Sequence, residues 1–352
     1  MGEGKLKTAV LGLDDRGELL LEAASRIDYF QIQAVADRDG ELAEKVAARY
    51  DCEAYDDYRQ LIIQNELDCL LVAAGMHSCD EHIRAAMKKK FNVLKLSPAA
   101  RNFEEAVEFV RLAEEENIKF AVANTKRFAR SCLALREFVQ EGRIEQIFLI
   151  TATCAVGGRP RPAWQSDPKL AGGGVLLHNC YEIIDQIVWN FGIPEQVYCL
   201  NSSAAGDKQQ RLYLTEDTAL VTMKFSDTFV GNLTASLRTD IRPEQEFLKV
   251  YGKDKILTVS DTRFTVSDGP GRTNEELEYE DDALFCMGKV LEKFALSIVL
   301  PDKNKVCSSG RENLRDMVVI ESAYLSARTG MPEEPGGILQ MGSWPAGKPI
   351  NI

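Results

Sequence analysis

The stretch KTAVLGLDDRGELLLEAASRIDYFQIQAVAD (Lys7–Asp37) decides the fold. It opens on a short apolar run that ends in glycine, KTAVLGL (Lys7–Leu13). RGELLLEAASRI (Arg16–Ile27) then carries apolar residues at helical spacing, and FQIQAVAD (Phe30–Asp37) reads as a second strand. Gly12 and Gly17 lie in the turn between strand and helix, at the spacing of G-x-G-x-x-G with Asp14 in the middle position. The first glycine of such a turn permits the tight bend, and the last lets helix and strand pack closely. The middle one normally lets the backbone approach a pyrophosphate at the helix N-terminus. Asp37 closes the second strand twenty residues beyond Gly17, where a carboxylate can accept hydrogen bonds from a ribose. This context predicts dinucleotide binding; the competing reading is a doubly wound domain whose first turn merely needs glycine. Asp14 opposes tight binding. A carboxylate about 5 Å from a phosphate charge, at an effective dielectric near 20, costs on the order of 3 kcal/mol unless it faces solvent or pairs with Arg16. Asp37 favours NAD over NADP, while Arg38 beside it keeps NADP open.

The pattern repeats outward. Helical spacing returns in GELAEKVAARY (Gly40–Tyr50), YRQLIIQ (Tyr58–Gln64), CDEHIRAAMKKK (Cys79–Lys90) and NFEEAVEFVRLAEEEN (Asn102–Asn117). Strands return in DCLLVAAG (Asp68–Gly75), FNVLKL (Phe91–Leu96) and KFAVAN (Lys119–Asn124). Repeated β-α units predict a parallel sheet with helices on both faces. After Asn124 a helix over Ser131–Gly142 precedes longer strands joined by turn residues, among them FLKVYGKDKILTVSD, as in a mostly antiparallel sheet. A helix over Gly310–Gly330 and a Pro/Gly-rich tail end the chain. The expected fold is α/β: a Rossmann doubly wound domain over 1–124 and an α/β domain with a large open, mostly antiparallel sheet over 125–352.

The totals exclude several classes. With 352 residues, 45% hydrophobic and 27% charged, the chain is an ordinary globular protein with ample core. A net charge of −12 argues against nucleic acid or an acidic membrane as partner. Nine scattered cysteines without a CxxC pair read as reduced thiols in a cytoplasmic protein. No apolar run is long enough to span a membrane. His77, Cys79 and His82 are the nearest approach to a zinc cluster, and no metal is expected.

Several motifs together resemble the Gfo/Idh/MocA oxidoreductases. AVADRDGELAEKVAARY is similar to the family's second strand and helix, and NTKRF (Asn124–Phe128) to its Asn-x-x-Arg-Phe entry to the second domain. WQSDPKLAGGGVLLHNCYEIID is similar to its Gly-Gly-Gly block and Asp-x-Gly-x-His-x-x-Asp helix. The departures fall on the chemistry. Where the family writes Glu-Lys-Pro, this chain has Leu96, Ser97 and Pro98. Where it writes Asp and then His, this chain has His178 and Glu182, and only Asp185 is kept.

If His178, Glu182 and Asp185 share one helix, they lie within roughly 60° of one another, and His178 meets Glu182 at i, i+4. A carboxylate neighbour suits an imidazole to general-base work, so His178 and Glu182 are the expected catalytic pair. Lys95, two residues before Ser97 on an extended strand, is the other catalytic candidate. The cofactor residues expected are Gly12, Leu13, Asp14, Arg16, Gly17, Asp37, Arg38, Ala74, His82, Ser97, Pro98 and Arg127. A small polyhydroxy substrate is expected at Lys126, Arg159, Arg161, Trp164, Tyr181 and Asp185, by charge and aromatic contact. The resemblance implies an NAD(P)-dependent oxidoreductase of a sugar, polyol or related hydroxy compound, NAD being the expected cofactor with NADP possible. It also implies a homodimer or homotetramer built through the C-terminal sheet. Two alternatives stay open: a dinucleotide-binding protein without turnover, and a net non-redox glycoside cleavage or epimerisation with NAD.

Overall fold

A computed structural model describes residues 5–157, 162–203, 215–238, 245–268 and 273–341. Two compact units emerge. The first comprises 1–100, 105–125 and 282–313, and the second 101–104, 126–281 and 314–352.

The first unit alternates strand and helix: β1 (Leu6–Leu11), α1 (Asp15–Ser25), β2 (Phe30–Ala36), α2 (Gly40–Tyr50), β3 (Glu53–Tyr55), α3 (Tyr58–Gln64), β4 (Cys69–Val72), α4 (Met76–Lys88), β5 (Asn92–Leu96), α5 (Phe103–Glu115) and β6 (Phe120–Ala123). All pairs are parallel, in the order β3-β2-β1-β4-β5-β6. That order reverses beside β1, and in open parallel sheets ligands bind outside the carboxyl ends of strands at such a reversal. The central strands are buried along their whole length, β4 and β6 without an exposed residue, because helices cover both faces. Aspartates start three of the helices: Asp14, Asp39 and Asp57 each accept backbone N–H groups of the following turn.

The second unit holds an eight-stranded sheet. Its elements are α6 (Arg130–Gln140), β7 (Leu149–Ala155), α7 (Pro168–Ala171), α8 (Val175–His178), α9 (Tyr181–Phe191), β8 (Gln196–Ser202), β9 (Thr218–Lys224), β10 (Val230–Ser236), β11 (Gln245–Tyr251), β12 (Ile256–Val259), β13 (Arg263–Ser267) and β14 (Thr273–Glu278). The order is β14-β13-β12-β11-β7-β10-β9-β8, antiparallel except where β10 runs parallel to β7. β9 and β10 alternate buried with exposed or half-buried positions and β7 buried with half-buried ones, so one face of the sheet is covered and the other more open. FLKVYGKDKILTVSD is two strands rather than one: Gly252–Lys255 turns β11 back onto β12.

The chain then returns to the first unit through α10 (Ala283–Val299), capped by Asp282 and packed on α1. Cys286, Met287, Val290, Leu291, Phe294 and Ala295 form its buried stripe. α11 (Gly310–Thr329) and α12 (Pro335–Met341) follow, so the expected irregular tail begins with a helix. No described helix is long and apolar enough to cross a membrane.

Candidate functional site

In the first unit the residues expected to meet a dinucleotide gather at the carboxyl ends of β1, β2, β4 and β5. Gly12 has φ +86°, and a Cβ there would stand 2.4 Å from the Ala74 backbone nitrogen. A Cβ at Gly17 would stand 2.1 Å from the Gly12 carbonyl oxygen. Only glycine fits at either position, for conformation at one and close approach at both. Asp37 ties the turn to the end of β2: the Leu13 N–H donates to its Oδ2 at 2.7 Å and the Asp39 N–H to its Oδ1 at 3.0 Å. Each oxygen keeps accepting capacity for a hydroxyl. Arg38 is exposed beside it, close enough for its charge to act on His77 and His82. Burial lowers both imidazoles below their ordinary value, and the Arg38 cation adds to this. His82 stands edge-on to Tyr58, ring centroids 5.5 Å apart. Burial raises the Tyr58 phenol, and Asp37 adds to it. Tyr58 was not singled out from sequence, because an aromatic at a helix start carries no motif, and His77 was weighed only with Cys79 and His82 as a metal cluster.

Asp14 is exposed, and it does not pair with the Arg16 guanidinium. Its Oδ1 accepts the backbone N–H groups of Arg16 at 3.1 Å and Gly17 at 3.0 Å, capping α1. The Arg16 guanidinium instead donates to the Ser97 carbonyl at 3.4 Å. The glycine cradle and Asp37 therefore suit a dinucleotide, whereas the helix's own anion already holds the N–H groups where a phosphate would bind.

Lys95, the other expected catalytic residue, does not extend its amine into open space. It is buried, and its Nζ donates to the carbonyls of Pro98 at 2.7 Å and Leu96 at 3.4 Å. Burial lowers its pKa, against the attraction of Cys79 and Asp80. The amine braces the backbone around Ser97, a buried residue that precedes Pro98 by a cis peptide bond.

In the second unit the Gly-Gly-Gly block is tightly enclosed. A Cβ at Gly173 would lie 2.2 Å from the Tyr324 hydroxyl oxygen, and one at Gly174 1.9 Å from the Glu216 carbonyl. The buried Glu216 carboxylate accepts the N–H groups of Gly174 at 2.8 Å and Leu176 at 2.9 Å and the Tyr324 hydroxyl at 2.9 Å. Burial raises its pKa, and these three bonds oppose the rise. Sequence reasoning missed Glu216 and Tyr324: a Glu in a polar connection and a Tyr on a long helix show nothing of a contact 108 residues apart.

The single-helix reading of His178, Glu182 and Asp185 is corrected. α8 is one turn, closed where the N–H groups of Asn179 and Cys180 both donate to the Val175 carbonyl, and α9 starts afresh at Tyr181. His178 and Glu182 thus stand on different helices, and i, i+4 geometry does not apply. The half-buried His178 ring places Nε2 3.0 Å from the Ala171 carbonyl oxygen, and Trp164 stands edge-on at 5.5 Å. A carbonyl only accepts, so Nε2 carries the hydrogen and Nδ1 the lone pair of the neutral ring. Glu182 accepts the Lys126 backbone N–H at 3.0 Å.

Asp185, Arg127 and Tyr181, expected at the substrate or the cofactor, are buried, and Arg127 and Asp185 are bonded to each other. Arg127 binds Asp185 through Nη2 at 2.6 Å and Nε at 2.9 Å, and its guanidinium stacks 5.3 Å from the Trp189 ring centroid. Asp316, also buried, adjoins this pair; burial and then the Asp185 charge raise its pKa well above the usual carboxylate range. The Lys126 ammonium pairs with Glu246 at 3.2 Å and with Asp261. Burial alone would lower its pKa, and these two acids turn the balance upward. Arg159 and Arg161 lie outside the described residues.

Comparison with known proteins bears on both units. Residues 6–124 match the model of the oxidoreductase family with NAD-binding Rossmann fold, and residues 132–258 that of the GFO/IDH/MocA C-terminal domain. The chain is 24% identical over 246 residues to 2,7-anhydro-N-acetylneuraminate hydratase of Escherichia coli, covering 64% of this chain and 65% of that protein. It therefore spans just under two thirds of that relative's length. It is 23% identical over 273 residues to myo-inositol 2-dehydrogenase of Thermotoga maritima, covering 76% of this chain and 79% of that one. Among solved structures, levoglucosan dehydrogenase in complex with NADH and levoglucosan superposes with TM-score 0.83 at 18% identity, covering 94% of this chain and 99% of that one. An oxidoreductase from Agrobacterium radiobacter in complex with NAD+, L-tartaric acid and magnesium gives 0.80 at 18% identity, covering 96% and 100%.

Proposed function

We propose a function from one premise: this chain belongs to the Gfo/Idh/MocA oxidoreductase family. It is an NAD(P)-dependent oxidoreductase that moves a hydride between a nicotinamide and a sugar, polyol or related hydroxy compound. The myo-inositol and levoglucosan dehydrogenases to which it is similar support that substrate class.

The dinucleotide supplies the hydride acceptor. Gly12, Leu13 and Gly17 let its backbone approach the turn, and Ala74 lines the same turn. Asp37 would accept from a ribose, with Arg38 beside it, and His82, Ser97 and Pro98 would line other parts of the dinucleotide. Asp37 favours NAD. His178 takes the hydroxyl proton on Nδ1, and the Ala171 carbonyl holds the opposite N–H so that the tautomer is fixed. Glu182 orders the Lys126 backbone beside it. Lys126 and Trp164 flank the polyhydroxy substrate. The observation that supports the base assignment is the Nε2–Ala171 contact, which puts the hydrogen of the neutral ring on Nε2. The exposed, directly paired Leu200 and Leu220 of β8 and β9 support association of copies through the open sheet face. The composition supports a cytoplasmic setting.

A panel of sugars and polyols with NAD+ tests the reading by NADH formation. His178→Ala is expected to lower kcat by about 10²- to 10⁴-fold with dinucleotide affinity unchanged; a rate within threefold of wild type would remove His178 as the base. The hydratase among the relatives supports a second reading, a net non-redox conversion on the same residues. Substrate consumption without net NADH would select it.

A further inference from the structure

We propose that Asp14 is a built-in competitor for the dinucleotide's pyrophosphate, set against the cofactor at the turn that would hold it. The inference rests on the dinucleotide reading of the first unit. Three observations carry it. Gly12 and Gly17 leave no room for side chains, as a turn that approaches a ligand by its backbone requires. At the position between them, where a third glycine would leave the helix N-terminus open, the chain has a carboxylate. That carboxylate accepts the N–H groups of Arg16 at 3.1 Å and Gly17 at 3.0 Å, the donors a phosphate would use at the start of α1. The same feature serves two ends: Asp14 supplies the cap α1 needs, and keeps an anion where the helix dipole favours one.

A dinucleotide can be accommodated in two ways. It can bind beside the seated carboxylate, which is exposed and screened by solvent: at about 5 Å the repulsion corresponds to roughly 4-fold in affinity at the dielectric of water and to a hundredfold or more at an effective dielectric near 20. Or Asp14 can swing out, giving up its cap, which corresponds to roughly a 3- to 30-fold handicap. The less costly route sets the penalty. Asp14→Gly removes the penalty at little cost to the helix, since glycine is itself a serviceable cap residue.

The test is titration calorimetry of the full chain with NADH and with ADP-ribose, which keeps the pyrophosphate and lacks the nicotinamide. Asp14→Gly is expected to bind both about 3- to 30-fold more tightly than wild type, and adenosine, which has no phosphate, no more tightly. Asp14→Ala, which also lacks the carboxylate, should give the same direction and covers poor folding of the glycine variant. Equal or weaker binding by both variants, with wild type binding normally, overturns the competitor role and leaves the dinucleotide reading standing. Absence of binding in wild type and both variants overturns the two together.

Discussion

Asp316→Asn is predicted to stabilise the protein increasingly as pH rises. Arg127, Asp185 and Asp316 are buried together; the Arg127 and Arg315 charges oppose the rise of the Asp316 carboxyl but do not outweigh its burial and the Asp185 charge. Arg127 Nε and Nη2 both donate to Asp185. Neither Asp316 oxygen meets an N–H or O–H donor among the described residues, and after burial it is the Asp185 charge that raises its carboxyl most. Two neighbouring buried carboxyls repel less when one keeps a proton, and burial places that proton on Asp316. An unfolded aspartate releases its proton near pH 3.9. Above that value, and up to the raised folded value, the folded chain binds one proton more than the unfolded chain. The stability tied to this proton is complete at low pH and falls by about 1.4 kcal/mol for each pH unit in that window. Asparagine has the same shape, donates an N–H to Asp185 and does not titrate, so the variant lacks this fall. Urea unfolding of both proteins at a series of pH values from 4.5 upward reads the difference directly. With an m-value near 3 kcal/mol/M, the variant's midpoint should gain about 0.5 M on wild type per pH unit. Two pH curves that run parallel would refute the shared-proton cluster.

Gly12→Ala should abolish detectable dinucleotide binding, because the new Cβ meets the Ala74 backbone and the φ of +86° disfavours alanine; calorimetry checks it, and affinity within threefold of wild type would contradict the cradle. Glu216→Ala should destabilise by about 2–6 kcal/mol, since the Leu176 N–H and the Tyr324 hydroxyl lose their acceptor at roughly 1–3 kcal/mol each while the Gly174 N–H keeps the Tyr324 oxygen; a urea midpoint unchanged from wild type would deny the carboxylate its structural role. Lys95→Met should cost about 1–3 kcal/mol by leaving the Pro98 carbonyl unpaired, yet keep turnover within a few-fold; loss of turnover with stability intact would return Lys95 to the chemistry.

Much of the fold was legible because it rests on local signals. Alternating apolar runs and helical spacing predicted the parallel sheet, and the glycine turn fixed where β1 hands over to α1. α10 went unread although it is apolar along one face and capped by Asp282, because its residues also suit a buried strand until their length is weighed. The long strand over FLKVYGKDKILTVSD hid a hairpin whose only mark is Gly252. In the candidate site, the cofactor turn was readable from spacing, since glycine positions report backbone constraints. Side-chain partners were not. Helical periodicity assumes an unbroken helix, and the break at Asn179–Cys180 set His178 and Glu182 on separate elements. Asp185 looked like a site acid and proved to be the buried partner of Arg127, a pairing 58 residues apart that no local pattern encodes.

The account stands on the first unit accepting a pyridine dinucleotide at the turn from Gly12 to Gly17 and at Asp37. Calorimetric titration of the wild-type chain with NAD+, NADH and NADP+ measures this without knowledge of the substrate. One site per chain, with NAD species preferred over NADP+ and binding lost in Gly12→Ala, is the expected result. No heat of binding from any of the three at millimolar concentration, with the chain folded, would contradict it.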